Sequence, residues 1–223
     1  MDIEAVAFDL DGTVVDSVPD LALAVDAMMV ELGLAPWGEG PVRTWVGNGA
    51  PRLVKRALTG HMDMEPAADL YERAMPLFNR HYAENICVSS RLFPGVRSGL
   101  SALRALAFPL ACVTNKPTAF TVPLIERLGL GQMFTVVVGG DATPKPKPAP
   151  DPLLLAADRL GTIPSRMLLV GDSINDVTSA RHAGCPVFCV PYGYNHGQDI
   201  REASPDRMIE SVSELPALLK RAS

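Results

Sequence analysis

The chain has 223 residues, which at about 150 residues per domain is one large unit with an insertion or two unequal ones. With 48% apolar and 20% charged residues it has ample material for a core, and a disordered or fibrous chain is excluded. Twenty Lys and Arg stand against 25 Asp and Glu, a net charge of −5, which is the wrong sign for a general nucleic-acid binder that must displace phosphate counterions.

Taken in order, the first apolar run, 5–8, reads as a strand. It is followed by roughly eighty residues that are helical in period, too long for an ordinary connection. Helices are expected there at 20–32, 51–58 and 66–84, with turns at Gly33, Gly47 to Gly49 and Gly60. From about residue 92 onward, short β-branched or apolar runs (110–113, 135–138, 167–170 and 187–190) alternate with helical stretches (99–106, 119–128, 152–160 and 177–183). That alternation argues for βαβ units. The expected fold class is α/β, a doubly wound parallel sheet with an inserted helical cap: residues 1–15 and 92–223 form the core and 16–91 the cap. The proline-rich run 144–152 falls between a strand and a helix, where a rigid loop could hold a lysine still.

No apolar run approaches the roughly 20 residues needed to span a bilayer, and the start, Met1-Asp2-Ile3-Glu4, lacks the basic flank of a secretion signal. A cytoplasmic protein without membrane or nucleic-acid partners is expected, as a monomer or homodimer. The four cysteines, 87, 112, 185 and 189, lack Cys-x-x-Cys spacing and read as reduced, core-type thiols. The four histidines are scattered and do not suggest zinc.

In a parallel sheet, whatever follows each strand reaches one edge, where doubly wound proteins bind ligands. The first strand is followed by Asp9-Leu10-Asp11-Gly12-Thr13, the next by Thr114-Asn115-Lys116, the third by Gly139-Gly140-Asp141 leading to the lysines, and the fourth by Gly171-Asp172-Ser173-Ile174-Asn175-Asp176. Asp9 and Asp11 are two apart and share a face while the chain stays extended. Paired carboxylates repel each other, and a hard cation such as Mg²⁺, joined by Asp172 from another strand, relieves that repulsion. Gly12 permits a tight turn with amides facing an anion, and Lys147 and the Thr114 hydroxyl add positive charge and a donor. Acids and a metal on one side with a lysine on the other describe phosphoryl transfer. Each piece alone has an ordinary explanation, as a surface Asp-x-Asp, a helix cap or a turn. Their order at successive strand ends is what carries the reading.

The runs Phe8-Asp9-Leu10-Asp11-Gly12-Thr13, Val113-Thr114-Asn115-Lys116, Lys147-Pro148-Ala149-Pro150 and Gly171-Asp172-Ser173-Ile174-Asn175-Asp176 resemble the four motifs of the haloacid dehalogenase superfamily of phosphatases, and Phe93-Pro94-Gly95-Val96 resembles that family's return from the cap. The resemblance implies that Asp9 is the nucleophile, giving an aspartyl-phosphate, and Asp11 the general acid and base. It implies that Mg²⁺ is held by Asp9, the backbone carbonyl of Asp11 and Asp172, with Asp176 steadying the sphere directly or through water. Thr114 and Lys147 would hold the transferring oxygens. Lys145-Pro146-Lys147-Pro148 also fits the lysine motif when started at Lys145; the later helix start at Asp151-Pro152 favours Lys147. The second Asp favours phosphate esters over a dehalogenase, while a sugar-phosphate mutase shares the first step.

Substrate choice should come from the cap. Val46-Gly47-Asn48-Gly49 leads into a helix begun by Pro51, and free amides with Arg52 or Lys55 nearby could form a second anion pocket; equally, the glycines could be a turn and the basic residues a solvated face. Gly49, Arg52 and Asn115 are the candidate substrate contacts beside Thr114 and Lys147. The cap run and Tyr192-Gly193-Tyr194-Asn195 resemble bacterial phosphoglycolate phosphatases, which implies 2-phosphoglycolate as substrate; amino-sugar phosphates such as N-acetylmuramate 6-phosphate are the alternative. A phospho-accepting signalling receiver shares the acids, Thr and Lys but is shorter and lacks the insertion, and a phosphate-binding protein without turnover would have little use for intact acids.

Overall fold

A computed structural model describes residues 2–219. The chain opens with β1 (Ala5–Phe8), whose four side chains are all buried, and turns through residues 9–14 into a short strand, β2 (Val15–Asp16). Four helices follow: α1 (Val18–Glu31), α2 (Glu39–Trp45), α3 (Gly49–Thr59) and α4 (Ala68–Glu84). The chain returns through β3 (Arg91–Leu92), which pairs antiparallel with β2, so both ends of the helical insertion are tied together. From there it alternates: α5 (Val96–Ala105), β4 (Leu110–Val113), α6 (Thr118–Arg127), β5 (Val136–Val138), α7 (Asp151–Leu160), β6 (Met167–Gly171), α8 (Ile174–Ala183) and β7 (Val187–Cys189). A last edge strand, β8 (Arg207–Met208), and a short helix, α9 (Leu215–Leu218), close the described chain.

The main sheet has six parallel strands in the order β5-β4-β1-β6-β7-β8. Its two cores follow from a period of two along each strand. Val6, Phe8, Leu110, Cys112, Leu168 and Val170 face one side, continuous with the apolar interior of the inserted helices. Ala5, Ala7, Ala111, Met167, Leu169 and Val187 face the other, where the small side chains let Leu153 and Ala156 of α7 and Ala180 of α8 approach closely. No helix among the described residues is long and apolar enough to cross a membrane.

The sequence-expected elements are present, but five of those described were not anticipated. These are α2, β8, α9 and the β2–β3 pair, the last in a region read as lacking strands. The consequence that matters lies at β1. Phe8 pairs with Cys112 of β4 on one side and Val170 of β6 on the other, and the strand order reverses there. Residues leaving the carboxyl ends of β1, β4 and β6 therefore meet at the topological switch point, where open α/β sheets place their ligands.

Candidate active site

Asp9 is the first residue beyond β1, Thr114 the first beyond β4 and Asp172 the first beyond β6. Ligand oxygens of Asp9, Asp172 and Asp176 lie within 4.8 Å of one another. Lys147 reaches them from the proline-rich loop: its Nζ, almost wholly buried, is 2.9 Å from Asp9 and 2.6 Å from Asp176. Lys145, two residues earlier, is exposed.

Each carboxylate is held by its neighbours. The Thr13 hydroxyl donates to one oxygen of Asp172 and the Tyr194 amide to the other, both at 2.6 Å. Asp176 accepts from the Ser173 hydroxyl (2.7 Å), the Asp172 and Ser173 amides and Lys147, which fixes the first turn of α8. Gly12 sits against Asp172 with φ +95°; a Cβ there would lie 2.3 Å from the carboxylate, so only glycine fits.

The charges are not balanced. Burial pushes the Asp9 carboxyl up to about 7, with Lys147 pulling it down and Asp176 and Asp11 adding to the rise. Burial, then Asp9 and Asp176, hold Asp172 well above the ordinary carboxyl range. Three clustered acids stand against one lysine, which pairs with Asp9 and Asp176 alone, and every donor is oxygen. That set fits a hard divalent cation, which would supply the missing charge, and it offers no soft ligand to a thiophilic metal.

Asp11 is placed differently. Its carboxylate lies outside the three-acid group and accepts from Lys116 Nζ at 2.9 and 3.0 Å and from the Ser17 hydroxyl. The Thr114 hydroxyl is buried and accepts from the Lys116 amide at 3.1 Å. A cavity between sheet edge and inserted helices is lined by Asp9, Asp11 and Thr114 below and by Val46, Leu53 and Tyr82 above.

The expected substrate contacts separate. Asn115 donates from Nδ2 to the Gly47 carbonyl (3.0 Å) and the Lys147 carbonyl (2.9 Å), joining insertion, β4 and lysine loop. Gly49 lines the cavity, packed on the Asn115 carbonyl. Arg52 does not line it. It lines a separate outer cleft and is paired with Asp63 at 3.2 Å and Glu65 at 2.7 Å, while Lys55 takes the other Glu65 oxygen.

Residues 3–184 match the model of the haloacid dehalogenase-like hydrolases. The chain belongs to that family. A phosphoglycolate phosphatase of Nitrosospira multiformis is 51% identical over 221 residues, covering 99% of this chain and 97% of that protein. The Escherichia coli K12 phosphoglycolate phosphatase is 46% identical, covering 97% and 93% respectively. A crystal structure described as a predicted phosphoglycolate phosphatase from Haemophilus somnus superposes with a TM-score of 0.92 at 36% identity, covering 99% of both chains. With relatives this near over almost their full length, the hydrolase is a phosphatase, a phosphoric monoester hydrolase.

Several residues that build the hydrolase's site were given no role from sequence. Lys116 closes the Thr114-Asn115-Lys116 run, the third residue beyond β4, and that nearness to a strand end is its signal in the sequence. Thr13 closes the first motif and Ser17 stands four residues beyond it, near enough in sequence for both to partner its acids. Tyr82 lies inside a helix and carried no local signal at all.

Proposed function

We propose that this phosphatase hydrolyses 2-phosphoglycolate to glycolate and phosphate in a Mg²⁺-dependent reaction through an aspartyl-phosphate, with the inserted helices 16–91 acting as a cap. The observation that carries the chemistry is the convergence of Asp9, Lys147 and Thr114 at the switch point, with Asp11 lining the same cavity. The substrate is supported by the names of the relatives at 46–51% identity.

An Asp9 oxygen attacks phosphorus while the ester P–O bond breaks, and its electron pair leaves with the glycolate oxygen. Asp11, oriented by Lys116 and Ser17, donates a proton to that oxygen, then takes one from the water that attacks the phosphorus and frees Asp9. Lys147 neutralises Asp9 and, with the Thr114 hydroxyl, faces the phosphoryl oxygens. Asp9, the Asp11 backbone carbonyl and Asp172 would hold Mg²⁺, and Asp176, which also fixes Lys147 and the turn at 172–173, would steady the sphere directly or through water. A cation held by these residues would offset the repulsion between the anionic nucleophile and the phosphate.

The test is phosphate release from a generic aryl phosphate and from 2-phosphoglycolate. EDTA should abolish it, and Asp9→Asn should lower turnover at least about a thousandfold with the fold retained by circular dichroism. Full turnover by Asp9→Asn would overturn the nucleophile, and higher kcat/KM for N-acetylmuramate 6-phosphate than for 2-phosphoglycolate would overturn the substrate.

A further inference from the structure

The cavity's charged lining residues are Asp9, Asp11 and Lys116. Lys116 is therefore the cation through which the wall can meet an anion other than the phosphate. Its ammonium has three N–H donors, and the Asp11 carboxylate takes at most two of them. It sits 4.9 Å from the centre of the Tyr82 ring. The Tyr82 hydroxyl, on the same cavity wall, is buried beside Lys116, and its O–H donates to no acceptor among the described residues. A buried O–H without an acceptor costs free energy unless something supplied later satisfies it. The ring itself is fixed, stacked on Phe78 at 5.8 Å and edge-on to Phe120 at 5.0 Å.

We infer that Lys116 and Tyr82 form the anchor for the substrate's carboxylate, one donor from the sheet edge and one from the inserted helix α4. This deepens, and rests on, the reading of the substrate as a small phosphate ester with a carboxylate at its other end. It moves the second anion pocket from Arg52, whose guanidinium is engaged by Asp63 and Glu65, to the wall facing Asp9 and Asp11. Because Lys116 and Tyr82 belong to different layers, the anchor is whole only when the helices are packed against the sheet.

The test is calorimetric titration of the Mg²⁺-loaded protein with 3-phosphonopropionate, a non-hydrolysable phosphonate bearing a carboxylate, and with propylphosphonate, which carries a methyl in its place. The wild type should bind the carboxylate compound at least about tenfold more tightly. Tyr82→Phe should reduce that ratio severalfold and Lys116→Met should abolish it. Equal binding of the two compounds by the wild type overturns the anchor, as does a ratio unchanged in Tyr82→Phe, whether or not Lys116→Met folds. Turnover of 2-phosphoglycolate is assayed separately. Absence of turnover with the binding ratio intact would sink the proposed function and leave the anchor standing.

Discussion

Two glycines, Gly12 and Gly193, pack against the Asp172 carboxylate, and a Cβ on either would fall 2.3 Å from one of its oxygens. Gly12→Ala must either push that carboxylate away or give up a backbone φ of +95°. It should cost about 1–2 kcal/mol of stability and weaken Mg²⁺ binding about tenfold or more, read from the Mg²⁺ dependence of turnover. The two lysines offer a sharper contrast. Lys147→Ala leaves Asp9 and Asp176 without their shared cation and should lower kcat about a hundredfold or more. Lys145→Ala removes an exposed charge and should leave kcat within about twofold, since exposed charges contribute little. Acids and lysine at strand ends could be read ahead of the structure because a parallel sheet delivers them to one edge. Arg52 shows the limit of that reasoning: its acidic partners Asp63 and Glu65 lie 11 and 13 residues on, across a turn whose direction the sequence does not specify. Tyr82 shows it again, since its importance arises from a neighbour, Lys116, that lies in another layer.

Among the elements, α1 does more than pack. Its buried Asp20 accepts from the amides of Ser89 and Ser90 and from the Ser90 hydroxyl, at 2.6–2.8 Å, just before β3 begins. The outgoing and returning crossings of the chain are thus joined by hydrogen bonds to a charged group as well as by the β2–β3 pair. Asp20→Ala leaves buried donors without an acceptor, and equilibrium unfolding in urea should show a loss of about 3 kcal/mol. The strands of the core were readable because each is a short apolar run bounded by polar turns, as in Leu110–Val113. The elements that escaped are those whose residues have weak patterns of their own. Helix α2 is seven residues long with Gly40 and Pro41 in its first turn, and β8 is two residues at a sheet edge with Arg207 exposed; tertiary pairing decides both.

For the molecule as a whole, the acidic cluster links stability to pH and to metal. Folding raises the Asp9 carboxyl from the ordinary range near 4 to about 7 when no ion is bound, and Asp172 rises with it. Between those values the folded protein keeps a proton that the unfolded chain has released. The ion-free fold therefore loses stability as pH rises from about 4 towards about 7. A divalent ion competes with that proton and offsets the loss. The rise in Tm on adding Mg²⁺ should accordingly be larger at about pH 7.5 than at about pH 5, and an equal or smaller rise at the higher pH would contradict the site.

Asp172 receives one of its two short hydrogen bonds from Tyr194, beyond residue 184 where the family match stops. The same segment caps the α8 amide of Ile174 through Asn195 and reaches the Thr44 carbonyl of α2 through His196. A chain that carries every signature run thus still depends on a later segment for the clasp that aims Asp172. A chain ending at residue 184 would keep every signature run yet lack both β7 and the loop that aims Asp172, and it should release no phosphate from an aryl phosphate.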